Sequence, residues 1–466
     1  MGKVTNSQAN NITSPNGNSL AVFVDGITGE MKVKDVLGNI QLLSDFIPQN
    51  SSSPFDFNDN NNGIQPILGI NTSSGNYATI GGGKYNNSLN NYTTIGGGYC
   101  NSSVGIGNFI GGGVSNTAGI SGGGCGCCNN GVGVSGIGVD LLLSSCYSTI
   151  GGGKNNSSYG YGSTIGGGFN NKASGSVSTI SGGFLNTTSG DCSVIGGGYC
   201  NTASGLISTV GGGFGNIASG FISTIGGGCN NTSSSISFIG GGIGNTSSAT
   251  YSTIGGGYNN TASGLASTIG GGICNTASGN NSTIGGGFSN TSSCGNSTVG
   301  GGFCNTSSFC NSTIGGGCCN IASGYNSTIG GGRSNTASGN NSTIGGGRSN
   351  TASGNNSTIG GGRSNTASGD YSTIGGGCCN VASGNSSTIV GGLCNTASGD
   401  RSAILGGRYN NTNICANAMI IGSCITANRV CTTFVNNLSI MDIPTSSVGL
   451  PTGSVWKNGT VLEIVP

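Results

Sequence analysis

The stretch Ser327–Asn341, STIGGGRSNTASGNN, returns unchanged as residues 342–356 and once more, as STIGGGRSNTASGDY, at 357–371. The period is 15 residues, and looser copies of the unit run from Tyr77 to Leu405. One apolar anchor marks each copy, for example Ile165, Ile180, Ile195, Val210 and Ile225, then Ile329, Ile344 and Ile359. Fixed spacing of this kind is the mark of a repeat architecture, in which each unit covers the apolar face of its neighbour.

Each copy is too short for a helical hairpin and too rich in glycine for a helix, whereas S-T-I and N-T-A-S suit short strands. The GGG and S-G-x-x stretches supply corners, because glycine reaches positive φ at no steric cost. One copy is therefore one coil with two short strands. Alternation points Ile inward and the preceding Thr outward; in the second strand it points Asn and Ala inward. The eighth residue after the anchor fits a narrow interior, being Ala, Ser or Thr, as at Ala203, Ser292 and Ala337. The repeated Asn (Asn335, Asn350, Asn365) is either an inward ladder that satisfies corner backbone groups or a left-handed turn residue. About 22 coils rising roughly 4.8 Å each make a rod on the order of 100 Å.

Composition agrees with a repeat. The chain has 466 residues, of which 100 are glycine, with 13 basic and 12 acidic side chains and no histidine. A net charge of +1 gives no basic footprint for nucleic acid and no polybasic surface for lipid. No run of 18 apolar residues exists, so membrane insertion is not expected. The N-terminal residues contain no apolar stretch of the signal-peptide kind. A core this sparse calls for copies packed side by side, so a homo-oligomer, and specifically a trimer, is expected.

The unit S-x-I-G-x-x-x-x-N-x-A-x-G resembles the head repeats of YadA-like trimeric autotransporter adhesins. That resemblance covers residues 77–405 and implies a left-handed parallel β-roll assembled as a trimer. The flanks, NSLAVFVDGITGEMKVKDVLGNIQLLSDFI (18–47), TTFVNNLSIMDIP (432–444) and LPTGSVWKNGTVLEIVP (450–466), resemble phage tail and other virion fibre proteins. The fold class expected is thus all-β: a repetitive parallel β-roll or β-solenoid with 15-residue coils and small β-rich ends. Its parts are a flexible N-terminus (1–17), a β meander (18–48), a linker (49–76) and the coils (77–405), with an irregular insertion at about 119–147. A transition and cap (406–444) and a terminal hairpin (445–466) follow, the hairpin turning at Asn458-Gly459.

Of the 20 cysteines, Cys304 and Cys319 share one repeat position on adjacent coils, as do Cys379 and Cys394. They are candidates for cross-coil disulfides or stacked thiols. CGCC at Cys125–Cys128 has no second half at zinc-like spacing, and no metal or cofactor is expected. Four residues after each anchor the side chain varies most, from Phe169, Phe184 and Tyr199 to Arg333, Arg348 and Arg363. The aromatics suit sugar faces or subunit packing, and the three arginines are candidate surface-binding residues. Catalysis has little to draw on: two glutamates in all, and Asp140, Asp191, Asp370 and Asp400 as the acids among the repeats. Asp370 and Asp400, two coils apart, read better as turn residues than as a glycosidase pair.

The first reading is a virion fibre or appendage, a rigid rod that attaches to a surface, with an attachment protein of the virion and a host glycan or protein as partners. Its location is the virion surface or an extracellular appendage. A cell-surface adhesin or extracellular filament subunit is the second reading. The third is an ice-binding solenoid built on the outward Thr rows.

Overall fold

The computed structural model describes residues 71–119, 146–437, 443–452 and 454–458, with the strand segments Ala21–Val24, Met31–Lys34, Ile40–Leu42, Asp56–Phe57, Ile64–Gln65 and Val461–Ile464. Among these there is no helix. The chain divides into two units, Met1–Ile222 and Ser223–Pro466.

In the first unit, each coil contributes a T-I strand and a T-A strand, two residues apiece, and each pairs in parallel with its equivalent in the next coil. Ile165 stands beside Ile180, and Ala173 beside Thr188. The result is a parallel β-solenoid of two narrow sheets. Ile80, Ile95 and Ile110 are fully buried, as are Ile150, Ile165, Ile180 and Ile195. The ladder steps directly from Ile110 to Ile150 and from Val114 to Lys154, so a 40-residue interval closes one coil where 15 usually suffice. Residues 120–145 of the expected insertion, with Cys125–Cys128, lie outside the described residues. The solenoid begins at Thr72–Ser73, ahead of the expected boundary. Farther upstream, Ala21–Val24, Met31–Lys34 and Ile40–Leu42 form an antiparallel three-stranded sheet, and Asp56–Phe57 pairs antiparallel with Ile64–Gln65, inside the segment read as linker.

The second unit repeats the same solenoid. Its steps take 14 residues from Ile225 to Ile239, keep to 15 from there to Ile404, and then take 16 to Ile420 and 14 to Phe434. Parallel pairing continues beyond Leu405, through Ile404, Ile420 and Phe434, because Ile and Phe still arrive at the inward position there. The coils therefore reach Val435, into the segment expected to be a cap. Val455–Asn458 and Val461–Ile464 form an antiparallel hairpin in which Asn458 is a strand residue opposite Val461, rather than the turn residue the sequence suggested.

Two corners close each coil. At the first, the third glycine of GGG is left-handed, as at Gly347 with φ +92°. The residue before the Asn is left-handed too, for example Ser349 at φ 56°. The Asn itself is not, which decides between its two readings. At the second corner of this coil the left-handed residue is not the glycine: Asn356 has φ 55°, while Gly354 does not have positive φ. Gly354 is needed for closeness, since a Cβ there would stand 2.1 Å from the carbonyl oxygen of Gly369 on the next coil. Asn tolerates the left-handed region; β-branched Val177 and Ile207, at φ 56° and 59°, are strained there.

Candidate functional site

The interior of the coils is polar as well as apolar, and its polar groups are arranged in rows. The Asn six residues after each anchor is fully buried. Asn350 donates from Nδ2 to the carbonyl of Gly346 in its own coil and of Gly362 in the next, both at 3.0 Å. Its Oδ1 accepts the backbone N–H of Asn365, also at 3.0 Å. Asn335 and Asn365 repeat this pattern. Each buried side chain pairs with corner backbone groups of its own coil and of the next, so the row is an inward ladder.

Ser two residues before each anchor is also inside, a consequence of the same alternation that turns Ile inward. Where the residue five places earlier is Ser, the two hydroxyls meet, as in Ser292–Ser297 and Ser307–Ser312, both at 2.6 Å. Where that residue is Ala, as before Ser342, Ser357 and Ser372, the hydroxyl has no partner among the described residues. Losing a hydroxyl costs stability only where it has a partner. Ser342→Ala and Ser357→Ala are expected to be neutral or stabilising by up to about 1 kcal/mol, whereas Ser312→Ala costs about 0.5–1.5 kcal/mol. Chemical unfolding of the three variants measures the difference; an equal loss at all three positions contradicts it.

A second ladder runs along the outside of the other corner. There the Asn or Asp one residue after the S-G position accepts, through Oδ1, the backbone N–H at the same position of the preceding coil. Asn355 receives Asn340 at 3.2 Å, Asp370 receives Asn355 at 2.8 Å, and Asp400 receives Asn385 at 2.9 Å. Asp191 receives Ser176 in the same way, at 2.8 Å. Three of the four acids found among the repeats are thus fastened to backbone, and the fourth, Asp140, lies outside the described residues. Sequence reasoning placed Asp370 and Asp400 at a turn but missed the ladder; the alternation of Asn and Asp at Asn340, Asn355, Asp370, Asn385 and Asp400 was the available signal.

The cysteines fall into distinct settings. Cys294 and Cys310 form a disulfide with Cα atoms 4.9 Å apart. They occupy neighbouring coils but positions one residue out of step, which a search for equal positions overlooks. Cys304, Cys319, Cys379 and Cys394 are unbonded thiols, each at the left-handed position before the Asn. Two of them meet the preceding cysteine, with the Cys318 and Cys319 sulfurs 3.4 Å apart and the Cys378 and Cys379 sulfurs 3.1 Å, and Cys379 is also hydrogen-bonded to its equivalent Cys394. The hydrogen bond to Cys378 pushes Cys379 up to about 11, and the same bond together with the Arg363 guanidinium, 3.5 Å from the sulfur, holds Cys378 below the ordinary thiol range. Thiolates are the reactive form, and Cys378 becomes one at lower pH. Mass-spectrometric mapping at mildly alkaline pH is expected to find Cys378 alkylated before Cys379, with Arg363→Gln slowing it. Faster labelling of Cys379 contradicts this.

Four residues after each anchor lies the row that differs from coil to coil, each member bridged in parallel to the next. In the first unit Phe169, Phe184 and Tyr199 stack with ring centroids 5.0 Å apart, and Phe214 continues at 5.1 Å. Tyr199 and Phe214 are 39% and 44% exposed, so the stack faces solvent. In the second unit Phe288 and Phe303 stack at 5.2 Å, followed by Cys318 and then Arg333, Arg348 and Arg363. The structure therefore brings the three expected arginines into one exposed file.

One coil of the first unit, STIGGGFNNKASG at residues 163–175, matches the family described as the Ubiquitous surface protein adhesin repeat. No curated protein matches the chain. An adhesin repeat carried on a parallel β-solenoid fits a YadA-like repeat region, and together they suggest a surface adhesin or fibre with a surface or extracellular location.

Proposed function

We propose that the chain is a non-enzymatic surface adhesin or fibre subunit, in which identical coils serve as scaffold and the variable row makes the contacts. The observation that carries this reading is the adhesin-repeat match at residues 163–175, on a coil whose interior is spent on self-stacking ladders. The ladder-bound Asp191, Asp370 and Asp400 support a binding role over a catalytic one, as their carboxylates are engaged by backbone N–H groups. The adhesin match favours a cell surface. A virion fibre is the second reading, favoured by the resemblance of the flanks at 18–47, 432–444 and 450–466 to fibre proteins. Antibody raised against Ser327–Tyr371 and applied to intact cells and to purified particles separates the two. Labelling of neither, with strong labelling of lysed cells, overturns both.

Copies of the chain assemble as a homotrimer in this reading, with the left-handed roll that the repeat's resemblance implies. Exposed Leu206, Ile207, Phe221 and Ile222, on two adjacent coils of the first unit, give apolar surface for the contact. Size-exclusion chromatography with light scattering is expected to show three chains per particle; a stable folded monomer contradicts it.

A further inference from the structure

The file of Arg333, Arg348 and Arg363 is the strongest charged feature of the second unit. Residues 192–332 contain no Asp, Glu, Lys or Arg, so these guanidiniums interrupt a long neutral stretch. Parallel bridges from Cys318 through Arg333, Arg348 and Arg363 to Cys378 hold the three one coil apart, about 4.8 Å. All three are exposed, and the exposed Ser334, Ser349 and Ser364 follow them. The acids nearest in the repeat, Asp370 and Asp400, are tied to the backbone of Asn355 and Asn385 at the other corner. Three like charges thus stand in register with no carboxylate partner among the described residues. Placed on the axis of a trimer, this file would set like charges against one another, which disfavours burying it there.

We propose that the file binds an acidic polysaccharide lying along the coil axis, its successive carboxylates or sulfates paired with Arg333, Arg348 and Arg363. The planar guanidinium matches such oxyanions with two parallel hydrogen bonds. Phe303 and Phe288 continue the same row at 47% and 41% exposure and offer ring faces on which sugars stack. The row therefore combines an anion ladder with an aromatic platform in one line, as a linear sugar chain requires. Nucleic acid fits less well, because its binding is driven by many phosphate contacts and this file supplies three cations. The proposal rests on the adhesin reading and names the chemistry of its ligand.

The test passes the full chain over immobilised heparin, alginate and neutral dextran between about 50 and 200 mM salt, beside single-stranded DNA. Retention on heparin or alginate and not on dextran is expected, weakening with salt. Sulfate and carboxylate are distinguished by the two acidic arms. The triple variant R333Q/R348Q/R363Q is expected to bind about tenfold or more weakly with unchanged thermal unfolding. Should its unfolding change, R348Q alone carries the test, with a measurable loss expected. Unaltered binding by either variant, no retention at low salt, or equal retention on DNA overturns the proposal. Antibody labelling of intact cells or particles reports separately on surface display, so failure of the ligand assignment is distinguishable from failure of the adhesin reading.

Discussion

Asn350→Leu is expected to destabilise the coils around it by about 2–6 kcal/mol. The side chains are alike in shape, so packing survives and the loss is one of hydrogen bonds. Gly346 loses the donor to its carbonyl, Asn365 loses the acceptor for its backbone N–H, and Gly362 keeps only the bond from the Arg348 N–H. The Asn365 N–H is buried and the Gly346 carbonyl partly so, and a buried polar atom left unpaired costs about 1–3 kcal/mol. Asn350→Asp keeps the acceptor and removes the donor, turning a carboxylate toward two carbonyls. That environment raises the folded-state pKa of the new acid above its unfolded value. The Asp variant should therefore recover stability as pH falls through the folded pKa and lose it above. Hydrogen exchange over residues 344–374 reads both effects locally, which matters because coils in a solenoid respond mainly to their nearest neighbours. Exchange unchanged in the Leu variant contradicts the ladder.

The second large effect separates two adjacent glycines. Gly347→Ala is expected to cost about 3 kcal/mol or more, and Gly346→Ala almost nothing. A Cβ on Gly347 would stand 2.2 Å from the carbonyl oxygen of Gly362 and 2.7 Å from Nδ2 of Asn350, in a left-handed backbone at φ +92°. That conformation alone costs an L-residue about 1–2 kcal/mol, and backbone one coil away cannot yield without breaking the ladder. A Cβ on Gly346 meets nothing within 4 Å. Thermal unfolding of the two variants, followed by circular dichroism, gives the comparison. Equal tolerance of both substitutions contradicts the coil geometry.

The coil, the inward Ile and the small residue eight places later are all legible in the 15-residue period, because burial at a fixed interval leaves a direct trace in residue type. The Asn was readable as important but not as to its role. Asn serves equally well in a left-handed turn and in a stacked amide row, and only the backbone shows that Ser349, one residue earlier, takes the left-handed conformation. The glycine of S-G suggests a corner through its freedom of φ, whereas the coil requires it for its lack of a Cβ. Inward serines such as Ser342 escaped notice because Ser is common on surfaces. The disulfide escaped for a geometric reason: equal repeat positions put Cys304 beside Cys319, but the bond formed is between Cys294 and Cys310, one step out of register. Limits of the solenoid at Thr72 and Val435 were hidden where the residue pattern decays before the pairing does.

Of the candidate site, the arginine file was legible because Arg333, Arg348 and Arg363 recur at one position. Its isolation was not, since that depends on where the nearest carboxylates go. Asp370 sits only seven residues from Arg363 in the chain, yet the coil turns it to the opposite corner and fastens it to Asn355. The Cys378–Cys379 contact beside Arg363 was likewise invisible in a pattern that compared coils with one another rather than neighbours within a coil.

The most direct measurement is a cryo-electron microscopy map of the purified chain at side-chain resolution. The expected map shows T-I segments paired in parallel about 4.8 Å apart, with Ile344 and Asn350 inside each coil and Arg348 outside. Antiparallel pairing of those segments, or Asn335, Asn350 and Asn365 turned to solvent, would contradict the solenoid and the binding row built on it.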